Sequence, residues 1–199
     1  MLTHKGTQTI ETERLILRRA AAADAEAMFR NWASDPEVTR FLTWPAYTSV
    51  DTAHYILDLW GKEYEKPDFY QWMIVLKELG APIGSISVVR QREDIGEAEI
   101  GYCIGRNWWH RGIMSEALAA VIKYLFEEVG MNRVAARHDS NNPHSGGVMK
   151  KCGMKYEGTT RQSDRNNQGI CDTDHYAILR ADWKPYLSHQ FAPRQHPLS

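Results

Sequence analysis

Residues 97–118 read EAEIGYCIGRNWWHRGIMSEAL, and three kinds of local order follow one another within them. From Glu97 to Ile104 the residues alternate. Ile100, Tyr102 and Ile104 therefore share one face of a strand, and Glu99, Gly101 and Cys103 the other. Gly105 to Arg111 forms a short connection. Beyond it Ile113, Ala117, Val121, Ile122, Leu125, Phe126 and Val129 recur at helical steps, which predicts a long amphipathic helix closed by Gly130. A helix N-terminus offers unpaired backbone N–H groups and partial positive charge, a setting that suits a phosphate. Gly112 permits close approach of the backbone to an anion, and Arg111 adds a formal charge. A glycine serving turn geometry alone accounts equally well for Gly112. Neither G-x-x-x-x-G-K-[ST] nor G-x-G-x-x-G occurs, so a P-loop and a dinucleotide fingerprint are not supported.

On either side strand and helix signals alternate within one α/β (α+β) domain, placed at residues 1–187. Arg14 to Arg18 predicts a first strand, and Ala27, Met28 and Trp32, with Asp24 near the start, predict a helix. The proline-bearing stretch 34–47 reads as irregular or short helix, and Ser49 opens a helix carrying Ala53, Ile56, Leu57 and Trp60. WMIVL has a buried-strand composition, and Leu79-Gly80-Ala81-Pro82 turns into IGSISVV. After the long helix come a strand at Val134 to Arg137, a short helix at Pro143 to Lys151, and closing strands around Tyr156 and Tyr176 to Leu179. Residues 188–199 lack periodicity and are expected to form a flexible tail.

The composition sets outer limits. The 199 residues are 43% hydrophobic and 25% charged, an ordinary globular mixture. A formal net charge of -1 lacks the basic excess of a nucleic-acid binder, so no nucleic-acid partner is expected. Three cysteines at wide spacing support neither a disulfide framework nor a cysteine zinc site. With no long apolar run and no secretory signal, a cytoplasmic protein without a membrane partner is the expectation. His138 and His144 lack a metal-ligand spacing, and no metal is expected.

The stretch Trp109-His110-Arg111-Gly112-Ile113-Met114-Ser115-Glu116-Ala117-Leu118 resembles the coenzyme-A pyrophosphate loop of the GCN5-related N-acetyltransferases (GNAT). It looks most like their ribosomal-protein N-terminal acetyltransferase branch, the RimJ/RimL type. Trp109 and Gly112 fall on the first position and the glycine of [QR]-x-x-G-x-[GA]; His110 replaces a common glycine, and Met114 stands where Gly or Ala is usual. IETERLILR, SDPEVTRFLTW and AEIGYCIG resemble other signatures of the branch, and Asn142 to Met154 matches N-x-x-S-x-x-V-x-x-K-x-G-F with Met154 for Phe. The likeness spans about residues 10 to 184 in the family's order. The paired Gly146-Gly147 inside the last of these has no reading in the sequence, although each Gly costs about 1 kcal/mol against Ala in a helix.

The resemblance implies a mixed sheet of six to seven strands, splayed between the fourth and fifth, with about four flanking helices. It implies transfer of an acetyl group from acetyl-coenzyme A to a primary amine, by direct attack in a ternary complex. The acceptor would be a peptide N-terminus or a small amine, and a homodimer is left open. The pyrophosphate would lie on His110, Arg111, Gly112, Ile113, Met114 and Ser115. The backbone around Cys103 and Ile104 would hold pantetheine and supply the oxyanion donor, and Asn142 would bond pantetheine. Ser145 would protonate the departing thiolate, because the tyrosine position of other branches is Met149 here. Cap chemistry is the plain alternative for Asn142 and Ser145. Glu99, with Glu97 as substitute, is the candidate base, against a solvated strand face. Trp44 and Tyr47 are candidates for the acceptor pocket, against core packing. A non-catalytic acyl-coenzyme-A sensor of the same fold is the competing function.

Overall fold

The computed structural model describes residues 2–184. The tail expected at 188–199 lies outside the described residues. Eight strands form one sheet in the order β1-β2-β3-β4-β5-β6-β8-β7. They are β1 (Ile10–Glu11), β2 (Leu15–Arg18), β3 (Gln71–Leu76), β4 (Ala81–Arg92), β5 (Glu97–Ile104), β6 (Arg133–Asp139), β7 (Lys155–Asn166) and β8 (Gly169–Leu179). This exceeds the expected six to seven by β1, a two-residue strand too short to leave a periodic signal. The helices are α1 (Ala25–Met28), α2 (Pro36–Thr39), α3 (Val50–Glu63), α4 (Ile113–Tyr124) and α5 (Pro143–Lys151). The fifth is α2, one turn opened by Pro36 and by Asp35, whose carboxylate accepts Glu37 N–H.

Strand alternation sorts the helices onto two faces. Trp72 and Ile74 of β3, Ile100 of β5 and Val134 and Ala136 of β6 pack with α4 and Met149 of α5. Met73 and Val75 point the opposite way, into a second cluster with Ala25, Met28 and Trp32 and with Ala53 and Leu57 of α3. Nine of the twelve residues of α4 are buried, so it is a core helix. A wider turn at Leu125–Val129 carries it on to Gly130, which ends it at φ +86°.

Among the described residues the only parallel pairing is between β5 and β6, and α4 supplies its crossover. The pairing runs from Glu97 opposite Arg133 to Ile100 opposite Ala136 and stops there. Beyond it β5 stays with β4 as far as Ile104 opposite Gly84, and β6 stays with β8 as far as Asp139 opposite Thr173. A wedge opens between the two strands. This is the expected splay, one place later in the count because of β1.

Candidate active site

The wedge continues into a cleft of about 810 Å³. The turn into α4 forms its floor. Gly112 sits at φ +71°, and a Cβ there would meet only a guanidinium nitrogen of Arg14 at 3.8 Å. The first N–H bonded within the helix is that of Glu116, to the Gly112 carbonyl at 3.1 Å. Those of Ile113, Met114 and Ser115 precede it, and all three residues line the cleft. Buried Glu116 holds this end in place. Its carboxylate accepts the Thr12 hydroxyl at 2.6 Å, Arg14 N–H at 3.0 Å and Arg14 Nε at 2.7 Å. Arg14 Nη1 also donates to the Arg111 carbonyl at 3.0 Å, clamping the loop from outside. Arg111 itself is exposed and is not among the lining residues. His110 adopts φ +60°, the left-handed region that glycine enters without steric cost, and its ring centroid lies 4.8 Å from that of His144. Trp109 ties the turn back to β5 through Nε1 to the Ile104 carbonyl, 2.8 Å.

One wall is the N-terminal end of α5. The Asn142 side chain makes no capping bond, so cap chemistry does not account for it, and the residue lines the cleft. The Tyr102 Oη–H donates to the Ser145 carbonyl at 3.0 Å, and Tyr102 Oη lies 2.9 Å from Ser145 Oγ, from which it accepts. Burial pushes the Tyr102 phenol well above its ordinary value, so it stays neutral. In the sequence Tyr102 reads as a core residue, because it shares the strand face of Ile100 and Ile104. Its signal is position: it lies two residues beyond the last β5–β6 pair. The paired glycines now divide. A Cβ on Gly146 would stand 2.6 Å from His138 Nε2, whereas one on Gly147 would meet nothing and enter the cleft.

The remaining wall comes from distant segments. Val38, Phe41 and Leu42 line the cleft from the α2 side, and Gln168 from the β7–β8 turn. That turn is docked by Asn167, whose amide donates to the carbonyls of Thr39 and Trp44, each at 2.8 Å. Trp44 and Tyr47 do not line the cleft. Their ring centroids lie 5.1 Å apart with the planes tilted by 45°, and both pack against the second core cluster, as Cys103 does. Cys103 and Ile104 do line it, and burial pushes the Cys103 thiol up, away from the nucleophilic thiolate.

Glu99 is not brought to the cleft. Its carboxylate pairs with Arg137 Nε at 3.1 Å, with Arg90 at 4.0 Å, and Glu97 pairs with Arg133. Two carboxylates do line the cleft, exposed Glu37 on α2 and buried Asp139 at the end of β6. No group of three or more metal-ligating side chains exists among the described residues.

The chain matches the family model of the acetyltransferase (GNAT) domain over residues 14–155. It is 32% identical over 171 residues to a Bacillus subtilis (strain 168) protein named Uncharacterized N-acetyltransferase YoaA, covering 86% of this chain and 96% of that one. To the [Ribosomal protein uS5]-alanine N-acetyltransferase of Escherichia coli (strain K12) it is 30% identical over 86 residues, 43% of this chain and 44% of that one. A crystal structure described as a probable acetyltransferase superposes with a TM-score of 0.79 at 27% identity, covering 88% of this chain and 99% of that one. A wedge between β5 and β6, a free helix N-terminus at its floor and these likenesses agree: the chain belongs to the GNAT acetyltransferase family, and it is an acyltransferase.

Proposed function

We propose that this chain moves an acetyl group from acetyl-coenzyme A to a primary amine, which attacks the thioester directly while both are bound. The observation that carries the reading is the cleft itself, with the unpaired end of β5 on one side and the N-terminus of α4 below. The residues present fit the cofactor. Backbone donors at Ile113, Met114 and Ser115 suit a diphosphate, the open space over Gly112 and Gly147 admits it, and the exposed edge of Gly101–Ile104 suits an extended amide-bearing arm. Acetyl-coenzyme A supplies the activated acyl group and a thiolate that leaves. The chain binds it, aligns it and holds protons.

In this reading the backbone around Cys103 and Ile104 donates to the developing oxyanion, and Asn142 bonds the pantetheine arm. Ser145 Oγ–H is the donor for the leaving sulfur, held in place by Tyr102. The raised Cys103 thiol speaks for direct attack over a covalent acetyl-cysteine. Glu99, locked to Arg137, would act as base only through water or after that pair opens. Trp44 and Tyr47 would shape the acceptor side from behind the α2 segment. The partial match to the uS5-alanine enzyme favours an α-amine of a protein or peptide as acceptor, in the cytoplasm, with a small amine as the other option.

A panel of amines and peptides, read for release of free coenzyme A and a mass gain of about 42 in the acceptor, tests it. Acceptor-dependent thiol release is expected. Binding of coenzyme A without release under any acceptor would favour the sensor.

A further inference from the structure

Five carboxylates are buried among the described residues: Asp24, Glu97, Glu99, Glu116 and Asp139. Four have a cationic partner within 4 Å, respectively Arg18, Arg133, Arg137 and Arg14. Asp139 has none among the described residues. Its oxygens accept only neutral donors: Asn141 N–H at 2.8 Å, the Asn141 amide at 3.1 Å, the Asn166 amide at 2.7 Å and the Cys171 thiol. A buried carboxylate costs much to desolvate, and a chain that supplies an arginine four times leaves this charge for something else. Unlike the four paired carboxylates at the cleft's edge or elsewhere in the fold, Asp139 lines the cleft.

Its place in the wedge says what it faces. Alternation along β6, in register with β5, puts Asp139 on the sheet face of Glu99 and Cys103, and Tyr102 on the opposite face, toward α5. The wedge therefore has a side where sulfur leaves, at Ser145 and Tyr102, and a side where an acceptor arrives. On the arrival side stand Phe41 and Leu42, both apolar and half-buried. Exposed Arg40 and Lys151 are also in the lining, two cations against the one exposed carboxylate of Glu37, and on balance they repel a second positive charge.

Resting on the acetyltransferase reading above, we infer that Asp139 is the anchor for the positive charge of the acceptor, which is a monocationic amine with an apolar body. Burial works to raise this carboxyl, but the bonds from Asn141, Asn166 and the Cys171 thiol outweigh it and hold it below its ordinary range. A carboxylate so held is a poor proton acceptor from an ammonium whose reference pKa is about 8 to 10. Asp139 binds charge and positions; the amine gives its proton to water.

The test uses 2-phenylethylammonium and its neutral counterpart 2-phenylethanol as probes, titrated into the coenzyme-A-saturated protein and followed by amide NMR. Wild type is expected to bind the amine about tenfold or more tightly than the alcohol, the scale of one charge-assisted bond. The Asn141 and Asn166 side-chain signals should move with the amine. Asp139→Asn should bring the ratio to near one while alcohol binding stays, and Asp139→Glu should restore part of the preference. A merely structural Asp139 would alter both probes together. Equal binding of the two probes by wild type, no binding of either, or a preference that survives in Asp139→Asn overturns the anchor. Saturation by coenzyme A, read in the same spectra at Gly112 and Ile113, checks the acetyltransferase reading separately.

Discussion

The two ends of the cleft recognise by different means. At the α4 end the contacts on offer are backbone N–H groups, fixed by the Glu116–Arg14 clamp and by glycine geometry. At the other end, where we propose that the acceptor enters, they are side chains, carried in by α2 and by the β7–β8 turn from opposite parts of the chain. Backbone donors survive side-chain change, so His110 and Met114 can depart from the family pattern without removing the donor set. Side-chain walls do not, and a changed wall changes which acceptor fits while the backbone donors stay as they are.

The largest expected effect breaks the link between the ends. Ser145→Ala should lower kcat by about a hundredfold, the lower range for loss of a general acid, with coenzyme A affinity unchanged within error. Matching losses in affinity and kcat/KM with kcat intact would make Ser145 only a holder of ligand. Next comes Gly112→Val, which places a branched side chain at φ +71° and into the open space above the turn. Coenzyme A binding should weaken by about tenfold, in line with the 1–3 kcal/mol of such strained backbone. Isothermal titration gives the answer, and an unchanged Kd would remove the α4 turn from the account.

The glycines of α5 sharpen the contrast within a single helix. Gly147→Ala should raise unfolding stability by about 0.4–1 kcal/mol, as Ala restricts the unfolded chain, while weakening coenzyme A binding through the methyl added to the cleft. Gly146→Ala should destabilise, because its Cβ would collide with His138. Thermal melts with and without coenzyme A separate the two. The smallest effect belongs to the acceptor side: Asn167→Ala frees the β7–β8 turn from Thr39 and Trp44 and should raise acceptor KM by a few-fold, with coenzyme A affinity unchanged.

The same contrast explains what could be read from the residues alone. The strand at Glu97–Ile104, Gly112 and the helix that starts at Ile113 follow one another without interruption between residues 97 and 124, so local chemistry suffices to predict the turn at which we propose the coenzyme binds. Asn142 and Ser145 were legible through a motif, and their facing Tyr102 was hidden by its apolar neighbours. The acceptor end has no local signature. Phe41, Gln168 and Asp139 meet only because β6 parts from β5 at Ala136 and the β7–β8 turn folds over α2. Glu99 has the right residue type and strand face, but Arg137, two residues beyond Ala135 in the partner strand, takes up its charge. Trp44 and Tyr47 sit in the correct region of the chain yet turn into the core behind the cleft wall.

A crystal structure with acetyl-coenzyme A bound tests the central claim most directly. The account predicts diphosphate oxygens within hydrogen-bonding distance of the N–H groups at Gly112–Ser115 and the pantetheine arm in the wedge between β5 and β6. Diphosphate bound elsewhere on the molecule, with those amides facing only solvent, would contradict it.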